Sequence, residues 1–303
     1  MLGKVATTQK FLLNAIKSAS ALKSIQPRSL FDVPVYYQSN FNPQKKDTFA
    51  AAQKVAKATD EISADFGLGH YMTNVYKATG GGLFTTLLLS KILASSALAT
   101  SPVIFLGGMV ISLGGIFTFN MYPPQYVTKK IQGKNAPYAE QPLARKISYA
   151  AIFTGMGMSL SPLIMMADMM NPVIVPMSIA LTMFTFGGIS AYAYNRPLGS
   201  FDKLSGVLTG GLFGLIGMSL VSLGSYLIMG PNPLSYALMR VEPYLALGIF
   251  SGFIAYDTHQ AIESYKLGDY DHLGASVQMY LNVVNLLSAI IRIVMSYFRD
   301  SDQ

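Results

Sequence analysis

Asp257 closes the apolar run 245–255 within the tetrapeptide Tyr256, Asp257, Thr258, His259. A carboxylate set in apolar sequence can hold a proton, ligate a cation or pair with a base, and it calls for one of these. His259, two residues on, belongs to the one side-chain type that ordinarily titrates near neutrality. The next apolar segment carries Tyr280, Leu281, Asn282, Val283, Val284, Asn285, Leu286 and Leu287, with Arg292 ten residues after Asn282. Two carboxylates facing each other would share a proton and switch with pH, because both cannot ionise cheaply at close range. Asn282 offers hydrogen bonds but no charge. The ordinary alternatives are an Asp257 that caps its helix or pairs with Arg292 or Lys266, an Arg292 that pairs or snorkels, and a His259 that is a simple loop residue. The structural reading of Asp257 is the one favoured.

The elements that must position these residues follow from composition. The 303 residues are 51% hydrophobic and 12% charged, with a mean hydropathy of +0.38, against about 25% charged in a typical soluble domain. Seven apolar stretches are long enough, or nearly so, to cross a bilayer, which takes about 20 helical residues: 71–92, 103–120, 147–166, 173–194, 204–229, 244–256 and 275–298. The expected fold is an all-α membrane protein, a seven-transmembrane helical bundle. The sixth stretch is short and would start nearer Tyr236 if Pro243 were tolerated inside a helix.

The chain has no Cys and three His, at 70, 259 and 272, in no zinc-like spacing, so metal and thiol chemistry find no framework. It contains neither a phosphate-binding loop nor a dinucleotide fingerprint, and no nucleophile stands at plausible spacing from a base. The expectation is a non-enzyme without a cofactor. The net charge of +7 lies in the N-terminal tail and in loops beside the spans, where it sets membrane orientation and requires no nucleic-acid partner.

The two polar signatures resemble the last two membrane helices of the Bax inhibitor-1 (TMBIM) family, where Tyr-Asp-Thr-Gln closes one helix and Tyr-Leu-Asp-x-x-Asn-Leu-Phe with a downstream Arg marks the next. The resemblance covers residues 69–299, including Tyr71, Tyr76 and the Gly-rich third and fourth spans, and residues 68–82 look most like the mitochondrial growth-hormone-inducible branch. It implies a bundle in which acids from the sixth and seventh spans face each other at one end of a central cavity, forming a pH-sensitive latch on a calcium leak or calcium/proton exchange route. Asp257 matches the first acid. Asn282 replaces the second, His259 replaces Gln, and the second span offers no basic countercharge.

Residues 1–44 read as a basic, transit-like segment and linker: Lys4, Lys10, Lys17, Lys23 and Arg28 precede the first acid, Asp32, as in mitochondrial targeting segments. Residues 45–68 read as an amphipathic helix capped by Asp47 and stopped by Gly67, and residues 69–303 as the membrane domain. Lys129, Lys130, Lys134, Arg145, Lys146, Arg196, Lys203 and Lys266 fall in loops on the N-terminal side, against Lys91, Arg240 and Arg299 opposite. That bias places the N-terminus in the matrix and the C-terminus in the intermembrane space. Gly206, Gly210, Gly214 and Gly217 make a stripe on the fifth span, expected to pack within the molecule, as do Gly155, Gly157, Gly187 and Gly188. Acidic Glu263, Asp269 and Asp271 read as a solvated loop. The expected function is a non-catalytic accessory subunit of a larger, respiratory-chain type complex of the inner membrane, in contact with lipid and other subunits. The alternative is a pH-sensitive calcium leak or calcium/proton exchanger.

Overall fold

A computed structural model describes residues 66–131 and 134–301. The transit-like segment and residues 45–65 of the expected amphipathic helix lie outside the described residues. Among the described residues seven long helices occur in order: α1 (Phe66–Ala94), α2 (Pro102–Met121), α3 (Leu143–Met170), α4 (Ile174–Tyr194), α5 (Leu204–Met229), α6 (Pro233–Lys266) and α7 (His272–Ser301). Between α2 and α3 lies an antiparallel hairpin of β1 (Gln125–Ile131) and β2 (Lys134–Glu140), in register Gln125 with Glu140 through Ile131 with Lys134. The hairpin has no counterpart among the elements read from sequence.

Six of the helices, α2 to α7, are long and apolar enough to cross a membrane. The seventh, α1, has 29 residues, more than the roughly 20 a crossing needs. Lys77, Lys91, its threonines and the run Gly80 to Gly82 dilute its hydropathy. Gly67 does not stop a helix but lies in the first turn of α1, where a Cβ would strike the Tyr265 hydroxyl. The molecule turns much of its apolar surface outward: Phe184 and Ile228 are more than four-fifths exposed, as expected where lipid is the solvent.

Local sequence explains the boundaries. Asn232 caps α6 by accepting from the Ser235 amide at 2.9 Å, with Pro233 at the first helical position, where its missing N–H costs nothing. Pro243 is accommodated inside, so α6 is much longer than the apolar run alone. It ends where Gly268 takes φ of +88°, a conformation that glycine adopts without penalty.

Helix α7 is the centre of the bundle, packed against α1, α3, α4 and α6. Tyr280, Val283, Leu287, Ile291 and Val294 recur at helical spacing and are all buried, which is how one helix contacts several neighbours. Helix α2 packs on α3 and α5 on α6, both at the periphery. The close α2–α3 crossing is set by glycine: a Cβ on Gly155 would collide with Gly108 and Ser112, and one on Gly108 with the Gly155 carbonyl. Gly157 similarly meets the Thr86 carbonyl. The α5 stripe behaves differently from expectation. A Cβ on Gly206, Gly210, Gly214 or Gly217 would meet open space, as at Gly187 and Gly188, whereas off-stripe Gly211 faces Ile249. The stripe therefore points away from α6, because the α5–α6 contact runs along another face.

Candidate functional site

Asp257 and Asn282 come together between α6 and α7. The Asn282 amide donates to Asp257 Oδ2 at 2.5 Å, and Asp257 is 7% exposed. Asp257 is not a helix-end cap. Helix α6 continues nine residues past it to Lys266, about 14 Å at 1.5 Å per residue, so the acid lies within the helix and not at its end. Nor does it meet Arg292, whose Nη1 donates to Glu242 Oε1 at 3.2 Å. That contact is toward the opposite end of α6, because α6 and α7 run antiparallel and Arg292 lies ten residues beyond Asn282.

Polar side chains continue around this pair. Thr258 Oγ1 donates to Ser190 Oγ at 3.4 Å. On the other side of α7, Tyr149 and Ser276 hydroxyls share a 2.7 Å hydrogen bond and Thr86 and Tyr280 one of 2.5 Å. These hydroxyls satisfy one another where water is excluded, as buried polar groups must.

His259 is no loop residue. It lies in α6, 2% exposed, with its ring edge-on to Phe201 at 5.2 Å and Nε2 3.3 Å from Glu263 Oε1. Glu263 also accepts from the Gly199 amide at 2.7 Å and so holds the 195–203 loop to α6. Asp202 of that loop has its carboxyl pushed above the ordinary range, by burial first and then by the Glu263 carboxylate, with His259 acting in the opposite sense.

The acids of the 267–271 loop are not merely solvated. Arg145 Nη2 donates to Asp271 Oδ2 at 2.5 Å, and Asp271 Oδ1 accepts from Gln141 Nε2 and the Gly274 amide, each at 3.1 Å. The Arg145 guanidinium lies 4.1 Å over the Phe119 ring, a cation–π contact that strengthens as water is removed. Asp269 Oδ1 accepts from the Tyr126 hydroxyl at 3.0 Å and from the Asp271 amide at 3.1 Å. Sequence reasoning placed Arg145 among loop charges and missed this cluster. The available signal was local: Asp271 three residues before Gly274 is a helix-capping pattern.

The arrangement is that of a polytopic membrane protein whose interior polar site is shared by its last two helices. It presents one carboxylate to a neutral amide. Among the described residues no group of three or more His, Asp or Glu is placed to hold a metal ion.

Comparison with known proteins agrees with this class. A family model described as "Inhibitor of apoptosis-promoting Bax1" matches residues 68–300, and the chain belongs to that Bax inhibitor-1 family. It is 26% identical over 225 residues to an uncharacterized membrane protein of Vibrio cholerae, covering 73% of this chain and 88% of that protein. It is 28% identical over 166 residues to Bax inhibitor 1 of Arabidopsis thaliana, covering 55% of this chain and 64% of the relative. With Bax inhibitor 1 of Mus musculus it shares 31% over 144 residues, 48% of this chain and 56% of the relative.

Proposed function

We propose that this Bax inhibitor-1 family protein is a non-catalytic accessory subunit of a larger complex in the mitochondrial inner membrane, of respiratory-chain type. One observation carries the reading: the partner of Asp257 is the amide of Asn282. An amide has no proton to exchange with the carboxylate and adds no charge for a cation, so the pair lacks the second titrating group of a two-acid latch. The acid is instead held by a hydrogen bond within the packed bundle.

Two further features support the reading. The α5 glycine stripe is open in the monomer, which leaves a surface without side chains where another helix backbone can approach. The basic, acid-free residues 1–31 suit mitochondrial delivery, and the loop-charge bias suits an N-terminus in the matrix and a C-terminus in the intermembrane space after seven crossings. Purification of the tagged protein at native abundance in mild detergent tests the assembly: it is expected to migrate far above 32.8 kDa with other inner-membrane subunits. Clean monomer or homodimer behaviour contradicts it.

The second reading, a pH-sensitive calcium leak or calcium/proton exchanger, is favoured by one fact: an acid buried within a span is a functional candidate by default. Calcium flux through the unmodified protein in vesicles decides between the two.

A further inference from the structure

We propose that the β1–β2 hairpin is a strap: its docking on the 267–271 loop holds closed the end of the bundle that contains Asp257 and Asn282, and its release lets water in toward them. The inference rests on how the hairpin is fastened. Strand β1 reaches the loop through Tyr126 on Asp269, and β2 reaches the first residue of α7 through the Tyr138 ring, 5.5 Å from that of His272. Gln141, immediately after β2, donates to Asp271. Arg145, itself buried in the first turn of α3, completes the fastening by its ion pair with the part-buried Asp271.

All of these contacts fall on one short stretch, and that stretch joins the two helices of the interior pair. Asp271 also receives the Gly274 amide and so fixes the start of α7. A Cβ at Gly274 would strike the Asp271 carboxylate, so the loop's carboxylate packs directly on the backbone of the first turn of α7. A rigid helix transmits a displacement of its first turn along its length, and Asn282 lies ten residues in, about 15 Å. On the other side of the loop, Tyr265 of α6 packs against Tyr270 at 5.2 Å and Tyr71 of α1 at 5.1 Å. Movement of the hairpin is thereby coupled to α1, α6 and α7 together.

The chain contains no Cys, so Thr258→Cys, at a position with no exposure beside Asp257, introduces a single thiol. The full chain in mild detergent is treated with a water-soluble maleimide, and in parallel with trypsin, which cuts after Lys129, Lys130 and Lys134 of the hairpin. In the Thr258→Cys background, Asp271→Asn is expected to raise hairpin cleavage and to speed labelling about tenfold, the scale of losing a charge-assisted hydrogen bond. Tyr126→Phe, at a largely exposed side chain whose change leaves the core intact, is expected to move both in the same direction by a few-fold. It decides the matter if Asp271→Asn does not fold. Increased hairpin cleavage with labelling unchanged overturns the strap, because the hairpin would then be loose without opening anything. Cleavage unchanged in the folded variants overturns it as well, because the clasp would not be what holds the hairpin.

Discussion

Two carboxylates at the hairpin end, the buried Asp257 and the part-buried Asp271, have opposite partners. Asp271 meets a guanidinium, a side-chain amide and a backbone amide, all near the rim of the bundle. Among the described residues Asp257 meets a single neutral amide, two to three turns deeper. A buried ion pair is costly to break because the survivor is left charged without compensation. A carboxylate facing an amide leaves no such survivor. The first is thus a fastening, and the second is a carboxylate held by a neutral hydrogen bond.

The largest expected effect is on the fastening. Arg145→Met takes away the countercharge of Asp271 and leaves it only two neutral donors, and its cost is expected at up to about 3–5 kcal/mol, read as a lower unfolding midpoint in detergent. An equally low cost for Asp257→Asn and Arg145→Met would erase the contrast between the two acids. Next is the glycine contrast. Gly155→Leu places a side chain against the Gly108 backbone and is expected to cost at least 1–3 kcal/mol, roughly the scale of overpacking. Gly210→Leu faces open space and is expected to leave the isolated monomer unchanged while reducing co-purification of partners. Arg292→Ala removes a half-exposed contact with Glu242 and is expected to cost no more than about 1 kcal/mol. A far larger loss would mean that Arg292 serves the interior after all.

The smallest effect concerns Asp202. Its carboxyl is raised in the folded protein, so the folded state holds that proton more firmly than the unfolded chain does. Its ionised form therefore costs stability at neutral pH, and the cost fades on acidification. Asp202→Asn is expected to raise the melting temperature slightly at neutral pH, with the difference disappearing toward about pH 4. A difference that grows on acidification would reverse the sign of the argument.

The helices were legible because apolar runs of bilayer length leave few alternatives. Six of the seven expected spans are helices apolar enough to cross, and the seventh is a helix of sufficient length. Even the extension of α6 past Pro243 was open to reading. The pairing of positions 257 and 282 was legible through family resemblance, since no local rule joins residues on different helices. What escaped was set by tertiary contact. Arg145 and Asp271 are 126 residues apart, and nothing in either neighbourhood names the other. Arg292 found Glu242 because both lie toward the opposite end, a matter of helix phase that apolar periodicity does not fix. The α5 glycines were visible as a stripe, but a stripe does not say which neighbour it faces. The hairpin was read as loop because its strands are short, polar and contain Pro137.

The most direct test of the central claim is calcium flux into vesicles containing the purified protein across a pH gradient, with Asp257→Asn and Asn282→Asp in parallel. The account predicts no pH-gated flux above protein-free vesicles for the unmodified protein and for Asp257→Asn, and places any gain of a pH-dependent leak in Asn282→Asp, which sets two acids facing each other. Robust flux through the unmodified protein that Asp257→Asn abolishes would contradict it, because a single acid facing an amide would then suffice for transport.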